Sequence, residues 1–242
     1  DEGGTSATSC KECPAYTVSE VGSSLATDCV CDAGYTGPNG GECEACDAGT
    51  FKDVNGSTSC SLCPRGKYST TTGSTSSTTC LDCVAGKYLG STGNGRPQDC
   101  MDCSQGKYSS VTGSPSSTTC RYCDAGKFSS FYGAASNDTC QDCSAGKYST
   151  GYVAASACME CAEGKFSTVV GAFANSTCLD CPAGKYSGIR GNSAESYCER
   201  CAAGKYLAAT GATNAATCID CVAGRFSPSV GATSIDTCKD CR

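Results

Sequence analysis

A Cys-x-x-Cys pair returns along this chain in steps of 17, 18 or 20 residues, opening at Cys43, Cys60, Cys80, Cys100, Cys120, Cys140, Cys158, Cys178, Cys198, Cys218 and Cys238. Three residues after the second cysteine comes a glycine, and two residues later a Tyr or Phe, as in Gly66/Tyr68, Gly106/Tyr108, Gly126/Phe128 and Gly224/Phe226. A second glycine follows ten positions after that cysteine, as at Gly73, Gly113, Gly171 and Gly231; the repeat opening at Cys143 has Val153 there instead. Self-similarity of this period constrains the architecture before any local propensity does. It means one small unit in many copies, each too short to bury a core by itself.

The composition agrees. Cysteine supplies 26 of 242 residues, tryptophan is absent and methionine occurs twice. From Cys60 to Thr79 the sizeable apolar side chains are Leu62, Pro64 and Tyr68, too few to offset the entropy of ordering the segment. Covalent staples and contacts between repeats must hold the fold. The formal charge is −6 with lysines spaced singly, so nucleic-acid binding has no support. No apolar run approaches the roughly 18–20 residues of a membrane span. The chain opens at Asp1 without a signal-like segment, which reads as a mature or internal part of something longer.

Locally, the aromatic with its flanking Ser and Thr suits a short strand, and the Ser/Thr tract before the next cysteine suits a second. The mid-repeat glycine would turn the chain between them. No sustained 3.6-residue apolar period occurs, so helix should be scarce. The expected fold is a set of small disulfide-rich repeats, short β-hairpins and irregular loops stacked as an elongated, solenoid-like rod. Residues 1–46 form a cysteine-rich N-terminal part, and 47–242 hold ten tandem repeats.

Two readings of the cysteines compete. Cys60, Cys63, Cys80 and Cys83 have a spacing that also suits zinc. In an unbroken array each pair would then have to serve one neighbour and desert the other, although the linkers look alike. The disulfide reading joins the second cysteine of each pair to the first of the next. That gives Cys46–Cys60, Cys63–Cys80, Cys83–Cys100, Cys103–Cys120, Cys123–Cys140 and Cys143–Cys158. It continues as Cys161–Cys178, Cys181–Cys198, Cys201–Cys218 and Cys221–Cys238, with Cys13–Cys29 and Cys31–Cys43 at the front. Cys10 and Cys241 are left over, as half-bridges to residues beyond the segment.

The stretches "CPRGKYSTTTGSTSSTTC", "CPAGKYSGIRGNSAESYC" and "CAAGKYLAATGATNAATC" resemble the ephrin-receptor-like cysteine-rich repeat, itself similar to the first disulfide loop of TNF-receptor modules. The resemblance implies that the cysteine before Gly-x-aromatic bonds to the next cysteine in the chain. "CVCDAGYTGPNGGEC", residues 29–43, is similar to the tail of an EGF-like module, which implies Cys31–Cys43. Such repeats occur in receptors, adhesins and structural proteins, so the resemblance speaks to architecture more than to role.

Little in the chain suggests catalysis. Histidine is absent, which leaves a Ser or Cys nucleophile without its usual base. "GSTGNG" at 90–95 lacks the strand-to-helix setting of a phosphate loop and reads as a turn. No catalytic residue, metal or cofactor is expected. An acid often precedes the second cysteine, as at Asp82 and Asp102, with a lysine five positions on, Lys87 and Lys107. These are weak surface pairs or a charge ladder between repeats. One carboxylate per repeat is too few for calcium. Three sequons, at Asn55, Asn137 and Asn175, are expected to carry N-linked glycans, and the tracts 69–79 and 109–119 are candidates for O-linked ones. The recurrent aromatic is expected to pack on an adjacent disulfide.

The expectation is therefore an extracellular, glycosylated stalk or filament of a cell-surface or flagellar appendage, such as a mastigoneme-like fibre. It would associate with itself or with other fibre subunits, without enzymatic activity. The alternative is the ectodomain of a receptor or adhesin. A concentration of exposed apolar side chains in one or two repeats would favour that alternative, and the sequence shows none that stands out.

Overall fold

The computed structural model describes residues 11–151 and 153–241. They fall into two compact units. The first comprises the chain up to Cys103 with Ser109–Arg121 and Gly133–Ser136; the second comprises Ser104–Tyr108, Tyr122–Tyr132 and Asn137–Arg242. Among the described residues there is no α-helix, and the strands are two-residue pieces paired into antiparallel hairpins. Hairpins this short are not stable alone, so what braces them is the substance of the fold.

The repeat opening at Cys63, in the first unit, serves as the type. The Lys67 N–H donates to the Pro64 carbonyl at 3.1 Å, and Gly66 takes φ 82° in the turn so closed, a region that L side chains avoid. Lys67–Tyr68 then pairs antiparallel with Leu81–Asp82, Lys67 opposite Asp82 and Tyr68 opposite Leu81. The second strand is thus the dipeptide inside the next Cys-x-x-Cys, and not the Ser/Thr tract. That tract forms a 3-10 turn, Ser77–Thr79, whose N-cap Ser76 accepts the Thr78 N–H. Ser and Thr side chains satisfy turn N–H groups as readily as they fit strands, and here the capping role prevails. Asn214 and Ser234 cap the corresponding turns in the second unit.

The disulfides lie within repeats. Cys13 joins Cys29, Cys31 joins Cys43, Cys46 joins Cys60, Cys63 joins Cys80, Cys83 joins Cys100, and Cys103 joins Cys120. Cys123 joins Cys140, Cys143 joins Cys158, Cys161 joins Cys178, Cys181 joins Cys198, Cys201 joins Cys218, and Cys221 joins Cys238. The Cα–Cα separation in Cys63–Cys80 is 5.6 Å, near the usual disulfide spacing. Cys60, Cys63, Cys80 and Cys83 therefore belong to three separate disulfides. Cys10 lies outside the described residues, and Cys241 is exposed with a free thiol.

Three backbone hydrogen bonds tie most repeats to the next. Gly66 N–H donates to Leu89 O at 2.9 Å, Ser69 N–H to Asn94 O at 3.0 Å, and Gly93 N–H to Cys63 O at 2.9 Å. In the second unit Gly164, Ser167 and Gly191 do the same with Ser187, Asn192 and Cys161. The free edge of Lys67–Tyr68 is thereby taken by a parallel bridge, Tyr68 to Asn94, which partly closes that edge from within.

Contact also reaches the repeat after next, beyond the nearest-neighbour scheme that such arrays suggest. A Cβ on Gly66 would overlap the carbonyl of Gly113, and one on Gly126 the carbonyl of Gly171. The first glycine of a repeat is thus where two backbones meet.

The core is mostly cystine. Cys63, Cys83, Cys103, Cys161 and Cys181 are fully buried, while Leu62, Leu81 and Leu179 are exposed. Two further columns are buried: the residue after the aromatic (Ser69, Leu89, Ser109, Ser167, Leu207) and the residue after the mid-repeat glycine (Ser74, Ser114, Ala172, Ala232). The serines of the first column accept a backbone N–H two residues on, as Ser109 does from Val111 at 3.3 Å. Ser149 alone of these has an Oγ without a partner among the described residues.

The segment 29–43 uses the same scheme. Tyr35–Thr36 pairs with Glu44–Ala45, Cys46 N–H donates to Gly34 O, and Gly34 N–H donates to Lys52 O, each at 2.8 Å. In the foremost hairpin Tyr16 occupies the place of the first glycine, keeps φ at 61°, and stacks its ring on Tyr35 at 4.3 Å between centroids.

Candidate interaction surface

The recurrent lysine meets an acid across the hairpin rather than the one five positions before it. Lys67 reaches Asp82 at 2.7 Å, Lys87 reaches Asp102 at 2.6 Å, Lys165 reaches Asp180 at 2.6 Å, and Lys147 reaches Glu160 at 3.0 Å. The expected partners, Asp82 for Lys87 and Asp102 for Lys107, are corrected accordingly. Residues directly opposite on antiparallel strands are closer than residues five apart across a turn. Both members are part-exposed, so each pair contributes about 0–1 kcal/mol.

Two repeats depart from the ladder, each for a visible reason. Lys107 has no acid at position 122 and instead places its ammonium 4.3 Å from the centroid of the Tyr122 ring, a cation–π contact. Lys185 faces Arg200 and turns away to Glu195 at 2.8 Å. In the same hairpin Tyr186 donates to Glu199 at 2.8 Å. That bond, with burial and the carboxylate's charge added, pushes the phenol above its ordinary range.

The aromatics do not form an open binding stripe. Tyr68 packs on Cys83, Leu89 and Cys100, and Tyr186 packs on Cys201, Leu207, Ala212 and Cys218. Phe166 is itself buried with Cys181 and Cys198. Each of these three rings therefore covers the disulfide of the following repeat and ties the two together by apolar contact.

One buried cation stands outside this pattern. Lys52 occupies the column filled elsewhere by Ser or Leu and is 2% exposed. Its Nζ donates to Tyr35 O at 2.6 Å and also to Gly56 O. Burial holds the amine below the usual lysine range. The group is spent on carbonyl oxygens and links segment 31–43 to 46–60.

Exposed apolar side chains occur all along the described chain, from Tyr16 to Ile235, and at two sites they fall in adjacent pairs. The two positions before the mid-repeat glycine are Thr71/Thr72, Ser91/Thr92 and Ala209/Thr210 in several repeats, but Phe131/Tyr132 and Val169/Val170 in two of them. Phe131, Tyr132, Val153, Val169, Val170 and Phe173 are all exposed, and all fall between Cys123 and Cys178.

The three sequon asparagines, Asn55, Asn137 and Asn175, are exposed. Asn137 and Asn175 each begin a 3-10 turn, whereas the Asn55 carboxamide oxygen accepts the Ala33 N–H at 2.9 Å. Within the tracts proposed for O-glycans, Ser69, Ser74, Ser109 and Ser114 are buried and lack access; Thr71, Thr72 and Thr78 are exposed.

Residues 34–80 match the family described as tyrosine-protein kinase ephrin type A/B receptor-like. The match begins at the turn glycine of the Cys31–Cys43 loop and ends at the closing cysteine of Cys63–Cys80. Repeated disulfide-bonded hairpins along the chain fit ephrin-receptor-like cysteine-rich repeats. Repeats of this kind, dense in disulfides, suggest an extracellular location and a structural or receptor-ectodomain-like role.

Proposed function

We propose that this chain is an extracellular spacer: a glycosylated stalk or filament element of a cell-surface or flagellar appendage, such as a mastigoneme-like fibre. The observation that carries this reading is the identity of the joints. The same three backbone hydrogen bonds recur at most joints, and the same aromatic lid at several, so a further copy adds length without a new kind of contact. The reading assigns the chain no catalysis and no cofactor. Its partners are copies of itself or other fibre subunits, with N-linked glycans on Asn55, Asn137 and Asn175 and O-linked sugars on the exposed threonines. Among the described residues no helix is long and apolar enough to cross a membrane.

Electron microscopy of native, non-reduced material tests it. Uniform fibres with an axial period that is a multiple of the repeat are expected. Short rods ending in a globular head would overturn the filament in favour of a second reading, a receptor or adhesin ectodomain. The exposed adjacent pairs Phe131/Tyr132 and Val169/Val170 are the observation that favours this second reading.

A further inference from the structure

Phe173 is 63% exposed, an unfavourable place for a large apolar ring. The position two residues after the mid-repeat glycine is Thr75, Pro115, Ala135, Ser193, Thr213 and Thr233 in other repeats. No aromatic is needed there for the hairpin, the disulfide or the joint.

Two residues later comes Asn175, the acceptor of the sequon Asn175-Ser176-Thr177. Between them Ala174 is extended, with φ −152° and ψ 154°. Side chains flanking one extended residue project to the same side. The backbone beyond is fixed: Cys178 N–H donates to Asn175 O at 3.0 Å, and Thr177 Oγ1 donates to Ala174 O at 2.7 Å. Ring and carboxamide therefore leave a rigid segment together. At the other two sequons the corresponding residues are Asp53 and Ala135, which offer no such face.

From this placement we infer that Phe173 is the seat of the first sugar of an N-linked glycan on Asn175. The inference rests on the glycosylation proposed above and goes beyond it. A pyranose carries C–H groups on one face, and the face of an aromatic ring is electronegative. An N-acetylglucosamine linked to the Asn175 Nδ2 would lay its C–H face on the Phe173 ring and cover it. The sugar then acts as a packing residue of the Cys161–Cys178 repeat, whereas the glycans at Asn55 and Asn137 serve as solvated surface only.

The test uses the full chain secreted from cells competent for N-glycosylation, with Phe173→Thr, Asn175→Gln and the double variant. Thr is the residue of several other repeats at this position, so folding is retained. Peptide mass spectrometry reads occupancy at Asn175, and hydrogen exchange at Cys178 reads local opening. With sugar present, Phe173→Thr is expected to accelerate exchange about fivefold, as for an aromatic contact of ordinary strength. Trimming the glycan to a single N-acetylglucosamine should preserve the effect, and Asn175→Gln should abolish it. An unoccupied Asn175 would overturn the glycosylation reading itself. An occupied Asn175 with equal effects of Phe173→Thr in the sugar-bearing and Asn175→Gln backgrounds would overturn the packing role.

Discussion

The meeting of backbones at the first glycine of most repeats can be separated from the conformation of that glycine, because the chain contains both cases. Gly66 has φ 82° and faces the Gly113 carbonyl; Gly204 has φ 83° and nothing within 4 Å of where a Cβ would stand. Alanine at either site must adopt the left-handed region, at about 1–2 kcal/mol. At Gly66 it must also displace a carbonyl whose own residue is held by the Gly113 N–H to Cys83 O bond of 2.8 Å. Forcing an extra carbon into such a contact adds about 1–3 kcal/mol. The equivalent reporters are the Cys83 N–H, bonded to Gly66 O at 2.9 Å, and the Cys221 N–H, bonded to Gly204 O at 2.8 Å. Gly66→Ala should accelerate hydrogen exchange at Cys83 roughly 30-fold or more, and Gly204→Ala should accelerate it at Cys221 roughly 5- to 30-fold. Exchange is preferable to a single melting temperature, because a repeat array opens in parts. Equal accelerations at the two sites would refute the claim that repeats touch their second neighbours through this glycine.

Replacing Lys87 by Gln should lower stability by no more than about 1 kcal/mol, with the difference fading in concentrated salt; a larger, salt-insensitive loss in denaturant titrations would contradict the exposed geometry. Ser149→Ala should leave stability unchanged or raise it by about 1 kcal/mol, because it removes a buried hydroxyl without a partner, whereas Ser167→Ala, which deletes an acceptor of the Val169 N–H, should lower it. Absorbance titration should find Tyr186 ionising above the ordinary value of 10.0, and Glu199→Gln should return it. Because the folded state raises this pKa, the stabilisation is present below pH 10 and is lost as pH rises through the folded value. Non-reducing peptide mapping should link Cys63 to Cys80 and elemental analysis should find no zinc; a Cys63–Cys83 link or stoichiometric zinc would count against the connectivity.

The period, the hairpins and the lack of helix could be read from the sequence because they follow from recurrence and from glycine placement. The second strand could not. Leu81–Asp82 spans two residues between cysteines, too short for any alternation to register, while the neighbouring Thr-rich tract carried the stronger strand propensity and became a capped turn. Burial of Ser69 and Ser74 ran against their polarity. In a core built of cystine the space beside each disulfide suits a small side chain, and its polarity matters less than its recurrence. The lysine partners were misjudged for a related reason: distance along the chain stands in poorly for distance across a hairpin. At the candidate surface, Phe131 and Phe173 resembled the recurrent aromatics in type, and only their offset from the cysteines distinguishes a packed ring from an exposed one.

The disulfides close each repeat on itself, and this settles how the chain bears tension. A pulling force passes from Cys63 to Cys80 through sulfur and not through the loop between them. With the joints undone, a repeat lengthens only to the 5.6 Å of the cystine plus three residues of linker, about 16 Å in all, against about 70 Å for twenty unstapled residues. Stretching breaks hydrogen bonds and lifts aromatic lids, all of which re-form on release, and the covalent path caps the extension at a small fraction of the contour length. The material so made is short in travel and recoverable, and a reducing agent would change its compliance before its composition.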